Sequence, residues 1–108
     1  MEQLKTQEPI AIGCIAREEL KRLLQQSPEK VLIIDVRSSE EYTDEHIPAA
    51  VNISLFELEN RSKEFSKESI IVTACKKGGG RSAQAADWLR QNGFNSGWLC
   101  GGTTGWFT

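Results

Sequence analysis

Residues 70 to 89 read IIVTACKKGGGRSAQAADWL, from Ile70 to Leu89. A β-branched apolar run ends at Cys75, two lysines and three glycines follow, and Arg81-Ser82 open a second pattern. A short continuous apolar run bounded by turn residues is the signature of a strand buried on both faces. The residues after it, with Ala85, Ala86, Trp88 and Leu89 inward, predict a helix from Ser82 to Asn92 closed by Gly93. Strand, glycine loop and helix make a unit whose loop lies at the carboxyl end of a strand. That is where open α/β sheets bind ligands.

Working outward, VLIID (Val31 to Asp35) repeats the buried-strand pattern. AREELKRLLQQ (Ala16 to Gln26) places Leu20, Leu23 and Leu24 on one helical face. Ser38-Ser39-Glu40-Glu41 reads as a helix start, with a serine cap and acids where the helix dipole favours them. That helix is expected to stop before Pro48. Ala50 to Ile53 is a second short strand, and Leu55, Leu58 and Phe65 fit a helix from about Phe56 to Ser66. Gly97 to Leu99 can form a last strand. Strands alternating with helices predict right-handed βαβ units, hence an α/β fold with a parallel sheet and helices on both faces.

A chain of 108 residues can bury one core, so a single domain over 1–108 is expected, with residues 1–9 flexible. Charged residues at 26% and a net charge of -2 provide no electrostatic ground for a nucleic-acid or membrane partner. MEQLKTQEPIAIG has no apolar stretch of signal-peptide length, and no segment is long enough to span a bilayer. The cytoplasm is therefore the expected location. Three cysteines without a C-x-x-C pair argue against a disulfide framework or a structural zinc site. The only histidine, His46, excludes a His-rich metal site. No metal or cofactor is implied.

The loop after Cys75 has the make-up of an anion site. Gly78, Gly79 and Gly80 permit backbone conformations closed to other residues, so amide N–H groups can converge on one point. The helix start beyond them adds unpaired N–H groups and the positive end of its dipole. Lys76, Lys77 and Arg81 bring three positive charges in a chain that is acidic overall. Such surroundings favour a thiolate over a thiol, and the same cradle can hold an oxyanion substrate. A nucleophile activated by its loop has no need of a histidine. The plainer reading is a buried structural cysteine beside a turn, which leaves the clustered cations unexplained.

These residues resemble the single-domain form of the rhodanese, or sulfurtransferase, family. VLIIDVRSSEEYTDEHIPAAVNI is similar to its first signature: a strand, Asp-Val-Arg, His-Ile-Pro and an asparagine. IIVTACKKGGGRSAQAADWLRQNGF resembles its active-loop segment, and LCGGTTGW its closing Gly-Gly with a tryptophan four residues on. The resemblance extends over nearly the whole chain and implies a five-stranded, mainly parallel sheet flanked by helices. Cys75 is then the nucleophile and Lys76, Lys77, Gly78, Gly79, Gly80, Arg81 and Ser82 form the substrate-binding loop. It also implies a small anionic sulfur donor such as thiosulfate, a Cys75 persulfide, and a thiophilic acceptor: cyanide, a thiol or a protein.

One departure matters. Many single-domain relatives have four residues between cysteine and arginine, whereas five stand here, Lys76 to Gly80. Cys-x5-Arg is also the spacing of cysteine-dependent phosphatases and arsenate reductases on this fold, which is the alternative reading. Against it, Ala74 stands where those enzymes often carry histidine, and the loop has no acid for a leaving alkoxide. A non-catalytic module presenting the loop to a partner is the third reading, weakened by intact Cys75 and Arg81.

Outside the loop, His46 is expected to fix the turn before Pro48 rather than act as a base. Asp35 and Arg37, at another strand's carboxyl end, are expected to give structural support, by pairing with each other or with nearby charges. Cys14 reads as structural. Cys100 reads as a small core residue, or else as a thiol able to resolve a persulfide or oxidised Cys75. Trp88, Trp98 and Trp106 read as packing residues, and the acidic run from Ser38 to Glu45 as a solvated helix face.

Overall fold

The computed structural model describes residues 13–108, so the expectation for residues 1–9 lies outside the described residues. In chain order the elements are β1 (Cys14–Ile15), α1 (Arg17–Gln26), β2 (Val31–Asp35), α2 (Ser39–Asp44), β3 (Val51–Asn52) and α3 (Leu58–Arg61). They continue with β4 (Ile70–Ala74), α4 (Gly80–Gln91), β5 (Asn95–Leu99) and α5 (Gly102–Trp106). The five strands form one sheet in the order β1-β5-β4-β2-β3, and every neighbouring pair is parallel.

Strand β4 lies at the centre with all five residues buried. Its side chains alternate between faces, as a pleated strand requires. Ile70, Val72 and Ala74 pack with Leu20, Ile33 and Leu99 on one face. Ile71 and, one residue beyond the strand, Cys75 pack with Ile34, Leu58, Ala85 and Leu89 on the other. This parity decides the side on which the thiol lies: it faces α4.

The buried ends of the strands are tied by charge. The Arg37 guanidinium donates from Nε to Asp35 Oδ1 at 2.9 Å and from Nη2 to Asp35 Oδ2 at 2.7 Å. Nη2 also reaches the Glu45 carbonyl at 2.6 Å, and Asn52 Nδ2 donates to the carbonyls of Asp35 and Arg37, each at 3.0 Å. The ion pair and the Asn52 amide together join the ends of β2, α2 and β3. The expected pairing of Asp35 with Arg37 is present and structural.

Helix α2 opens with a capping box, Ser38 and Glu41 each bonding the other's backbone N–H. His46 takes the structural place expected of it: its ring stacks on Tyr42 at 3.8 Å, and Nδ1 lies 2.7 Å from the Tyr42 carbonyl. The turn that follows holds Ala49 at φ 75°, a left-handed conformation that a β-carbon disfavours.

Several expectations are corrected. The helix expected from Phe56 to Ser66 shrinks to α3 and a 3₁₀ turn at Ser62–Glu64. Strand β5 starts two residues earlier than expected, at Asn95. Strand β1 and helix α5, neither of which carries an apolar run or a helical spacing of apolar residues, were not legible. Finally, Cys14 and Cys100 are joined in a disulfide, where the odd cysteine count argued against one. The parallel register of β1 on β5, Cys14 opposite Trp98 and Ile15 opposite Leu99, brings together two cysteines separated by 86 positions. Cys100 is therefore not a free thiol awaiting Cys75.

Two substitutions test these local arguments by urea denaturation. Ala49→Gly is expected to stabilise the fold by about 0.5–1 kcal/mol, because glycine relieves the left-handed strain. Arg37→Ala is expected to destabilise it by about 3–5 kcal/mol, because the Asp35 carboxylate is left buried without its counter-charge.

Candidate functional site

The site grows from the end of β4. Cys75 is 5% exposed and is the free cysteine among the described residues. Its thiol contacts the Gly79 carbonyl at 3.2 Å and Ser82 Oγ at 3.1 Å. The Ser82 hydroxyl donates to the same Gly79 carbonyl at 2.8 Å. Thr73 fixes the helix that carries Ser82, donating from Oγ1 to the Ser82 carbonyl at 2.8 Å. With the thiol protonated, the sulfur therefore rests on a carbonyl and a hydroxyl rather than on amide N–H groups.

The amides are nevertheless uncommitted. Among the described residues, no backbone carbonyl accepts from the N–H groups of residues 76–81, whereas Ser82 N–H already bonds Gly79. Gly79 has φ 65° and ψ -154°, a conformation essentially confined to glycine. It turns the chain sharply into α4.

The floor of the loop is built by the end of the chain. Thr103 N–H donates to the Cys75 carbonyl at 2.9 Å and Thr104 N–H to the Lys76 carbonyl at 3.0 Å. Gly102 lies so close beneath that a β-carbon there would come within 2.6 Å of both the Cys75 carbonyl and the Gly78 nitrogen. Only hydrogen fits. The second glycine of LCGGTTGW is thus a packing requirement of the loop above it.

The predicted loop residues occupy different settings. Cys75, Gly79 and Ser82 are in direct contact. Gly78 is wedged against Gly101 and Trp98. Lys76 and Lys77 are exposed. Arg81 is engaged elsewhere: its Nη1 and Nη2 contact Glu41 Oε1 and Oε2 at 3.0 and 3.3 Å. Arg81 holds the Glu41 carboxyl down at about 2, helped by the backbone N–H of Ser38. The acidic run is therefore not merely solvated. Its Glu41 caps α2 and anchors the loop arginine, a contact across 40 positions that local patterning does not signal.

Beside Arg81 lies an open depression lined by Val36, Ser38, Ser54, Leu55, Phe56 and Gln84. The Phe56 side chain is 97% exposed at its edge.

The family profile described as Rhodanese-like domain matches residues 16–108. The chain belongs to the rhodanese-like domain family. Within it, the chain is 41% identical over 68 residues to Bacillus subtilis "Putative sulfur carrier protein YrkF", a match covering 63% of this chain and 36% of that protein. It is 30% identical over 81 residues to "Putative sulfurtransferase YtwF" of the same organism, covering 75% and 78% of the two chains. The chain thus spans about a third of the length of the first relative. Among solved structures, a rhodanese-like domain protein from Staphylococcus aureus aligns with TM-score 0.76 at 32% identity, covering 89% of this chain and 91% of that one. A Bacillus halodurans protein, BH2092, aligns with TM-score 0.78 at 30% identity, over 89% and 72%. The five-stranded α/β fold of this rhodanese-like domain agrees with the resemblance drawn from its motifs.

The Glu41–Arg81 contact makes a pH prediction. The Glu41 carboxyl is held at about 2 in the folded protein against an ordinary value of 4.5. A depressed carboxyl stabilises the fold above its ordinary value and loses that contribution as pH falls through the folded one. Glu41→Gln should therefore be less stable than the parent above about pH 5, by up to about 1 kcal/mol for a part-exposed pair. The two proteins should converge as acid approaches about pH 2. Urea titrations at several pH values check this.

Proposed function

We propose that this rhodanese-like domain is a sulfurtransferase. It moves sulfane sulfur from thiosulfate, or a similar anionic donor, through a Cys75 persulfide to a thiophilic acceptor: cyanide, a thiol or a protein. The observation that carries the reading is the setting of Cys75, a free thiol opening a loop whose amide N–H groups have no backbone acceptor among the described residues and whose next two residues are exposed lysines. Relatives named for sulfur carriage and sulfur transfer support it.

The chemistry runs as follows. Cys75 loses its proton to solvent, and the sulfur no longer donates to the Gly79 carbonyl. Ser82 has one hydroxyl proton, now directed at Gly79, and rotation about its C–O bond aims that proton at the thiolate instead. The thiolate attacks the outer sulfur of the donor. A Cys75–sulfur bond forms, the donor's S–S bond breaks, and sulfite departs with the electron pair. The persulfide anion then extends toward the N–H groups of residues 76–81, which stabilise its charge. The acceptor takes the terminal sulfur and Cys75 leaves as thiolate, so the course is ping-pong. Sulfite leaves as a stable anion, so no general acid is required.

Lys76 and Lys77 supply the attraction for a dianion, which the Glu41-bound Arg81 supplies less. That engagement of Arg81 also speaks against the phosphatase and arsenate-reductase reading, in which the loop arginine must clasp a tetrahedral oxyanion. The cytoplasm, rich in thiol acceptors, is the proposed setting. A disulfide that forms there is typically transient or redox-sensing rather than permanent.

Brief incubation with thiosulfate should add one sulfur to the intact mass, at Cys75, and cyanide should remove it as thiocyanate. Cys75→Ser should show no adduct. Replacing Lys76 and Lys77 together by Ala should raise KM for thiosulfate roughly tenfold with kcat little changed, an effect that shrinks as salt rises. No adduct, together with turnover of an aryl phosphate or arsenate, would overturn the reading.

A further inference from the structure

We infer that the Cys14–Cys100 pair is a reversible thiol–disulfide exchange site that sets the rigidity of the Cys75 loop. The inference takes the sulfurtransferase reading for one of its readouts only.

Cys14 is exposed and Cys100 partly so, which leaves the bond open to attack by a thiolate. It pins β1, a strand of two residues at the sheet edge, to the end of β5. The next residues are Gly101 and Gly102, and then the Thr103 and Thr104 N–H groups that hold the carbonyls of Cys75 and Lys76. Only two residues separate the disulfide from the floor of the active loop. A second tie runs in parallel, for Arg17, three residues after Cys14, donates to the carbonyls of Gly105 and Thr108. The segment 14–17 thus grips the α5 segment at both ends, once covalently and once by hydrogen bonds. Breaking the covalent grip leaves a five-residue helix whose buried Thr103 hydroxyl has no partner among the described residues.

The exchange balances without an external oxidant. The thiolate of a reducing thiol attacks the Cys14 sulfur, forming a mixed disulfide and releasing Cys100 as thiolate. A second thiol, from another glutathione or from the same dithiol reductant, attacks the reductant's sulfur in that mixed disulfide and releases Cys14. The protein gains two electrons and two protons while the reductant becomes a disulfide. The same couple in its oxidised form reverses the step.

Two measurements test this. Cys75→Ser protein is equilibrated with glutathione at a series of reduced-to-oxidised ratios, quenched with iodoacetamide and weighed intact. Opening of the bond within the millimolar reduced range, with circular dichroism unchanged, is expected. A bond that persists until the protein unfolds overturns the inference, since it is then only a structural staple. Separately, wild-type protein is compared oxidised and after reduction by dithiothreitol with the reductant removed. Amide hydrogen exchange at residues 76–81 and 102–104 is expected to quicken at least tenfold on opening, and Cys75 to alkylate faster. Sulfur uptake from thiosulfate is expected to fall several-fold. Unchanged exchange and alkylation overturn the coupling to the loop, whatever reaction Cys75 performs. Faster exchange with no sulfur uptake in either form would sink the sulfurtransferase reading and leave the exchange site standing. The Cys14→Ser/Cys100→Ser protein should match the reduced form, and if it does not fold, the oxidised and reduced wild-type pair still decides.

Discussion

Two hydrogen bonds, from the Thr103 and Thr104 N–H groups to the carbonyls of Cys75 and Lys76, hold the loop to the end of the chain. A loop rich in glycine loses much conformational entropy on ordering, and its own side chains contribute little to offset it. The loop is ordered because the first turn of α5 lies beneath it and Gly102 permits an approach closed to any residue with a β-carbon. The candidate site is thus assembled at the carboxyl ends of two neighbouring strands, β4 supplying the sulfur and the segment after β5 the floor.

The sheet makes that meeting possible. β4 and β5 are parallel neighbours in register from Ile70 with Asn95 to Thr73 with Trp98, so their carboxyl ends emerge side by side. α4, which connects them, packs on the face that also receives Cys75. On the other flank, the buried Asp35–Arg37 pair and the Asn52 amide gather the ends of β2, α2 and β3. The ion pair links β2 to the end of α2. It also sets the position of α2, from which Glu41 reaches Arg81. The loop after Cys75 is therefore flanked by a carboxylate that pairs with Arg81 and leaves Lys76 and Lys77 exposed.

Much of this was legible. The apolar runs of β2 and β4, the capping box of Ser38 and Glu41, and the Cys75-to-Ser82 loop are local patterns in which neighbouring residues carry the signal. The pairing of Asp35 with Arg37 was within reach because the two stand only two positions apart. Strand β1 and helix α5 were not, since neither carries an apolar run or a helical spacing of apolar residues. Cys14–Cys100 and Glu41–Arg81 were not either, because each joins residues that only the strand order brings together. The amide cradle was anticipated as a set of groups, yet the resting sulfur lies on a carbonyl and a hydroxyl instead.

By itself the sequence determined an α/β domain whose cysteine ends a buried strand under a cationic, glycine-rich loop, because burial, periodicity and backbone freedom are properties of short stretches. Tertiary structure alone decided which cations remain free, which cysteines are bonded, and what floors the loop. Those outcomes depend on distances between residues far apart in the chain, which are set by the order in which five parallel strands assemble.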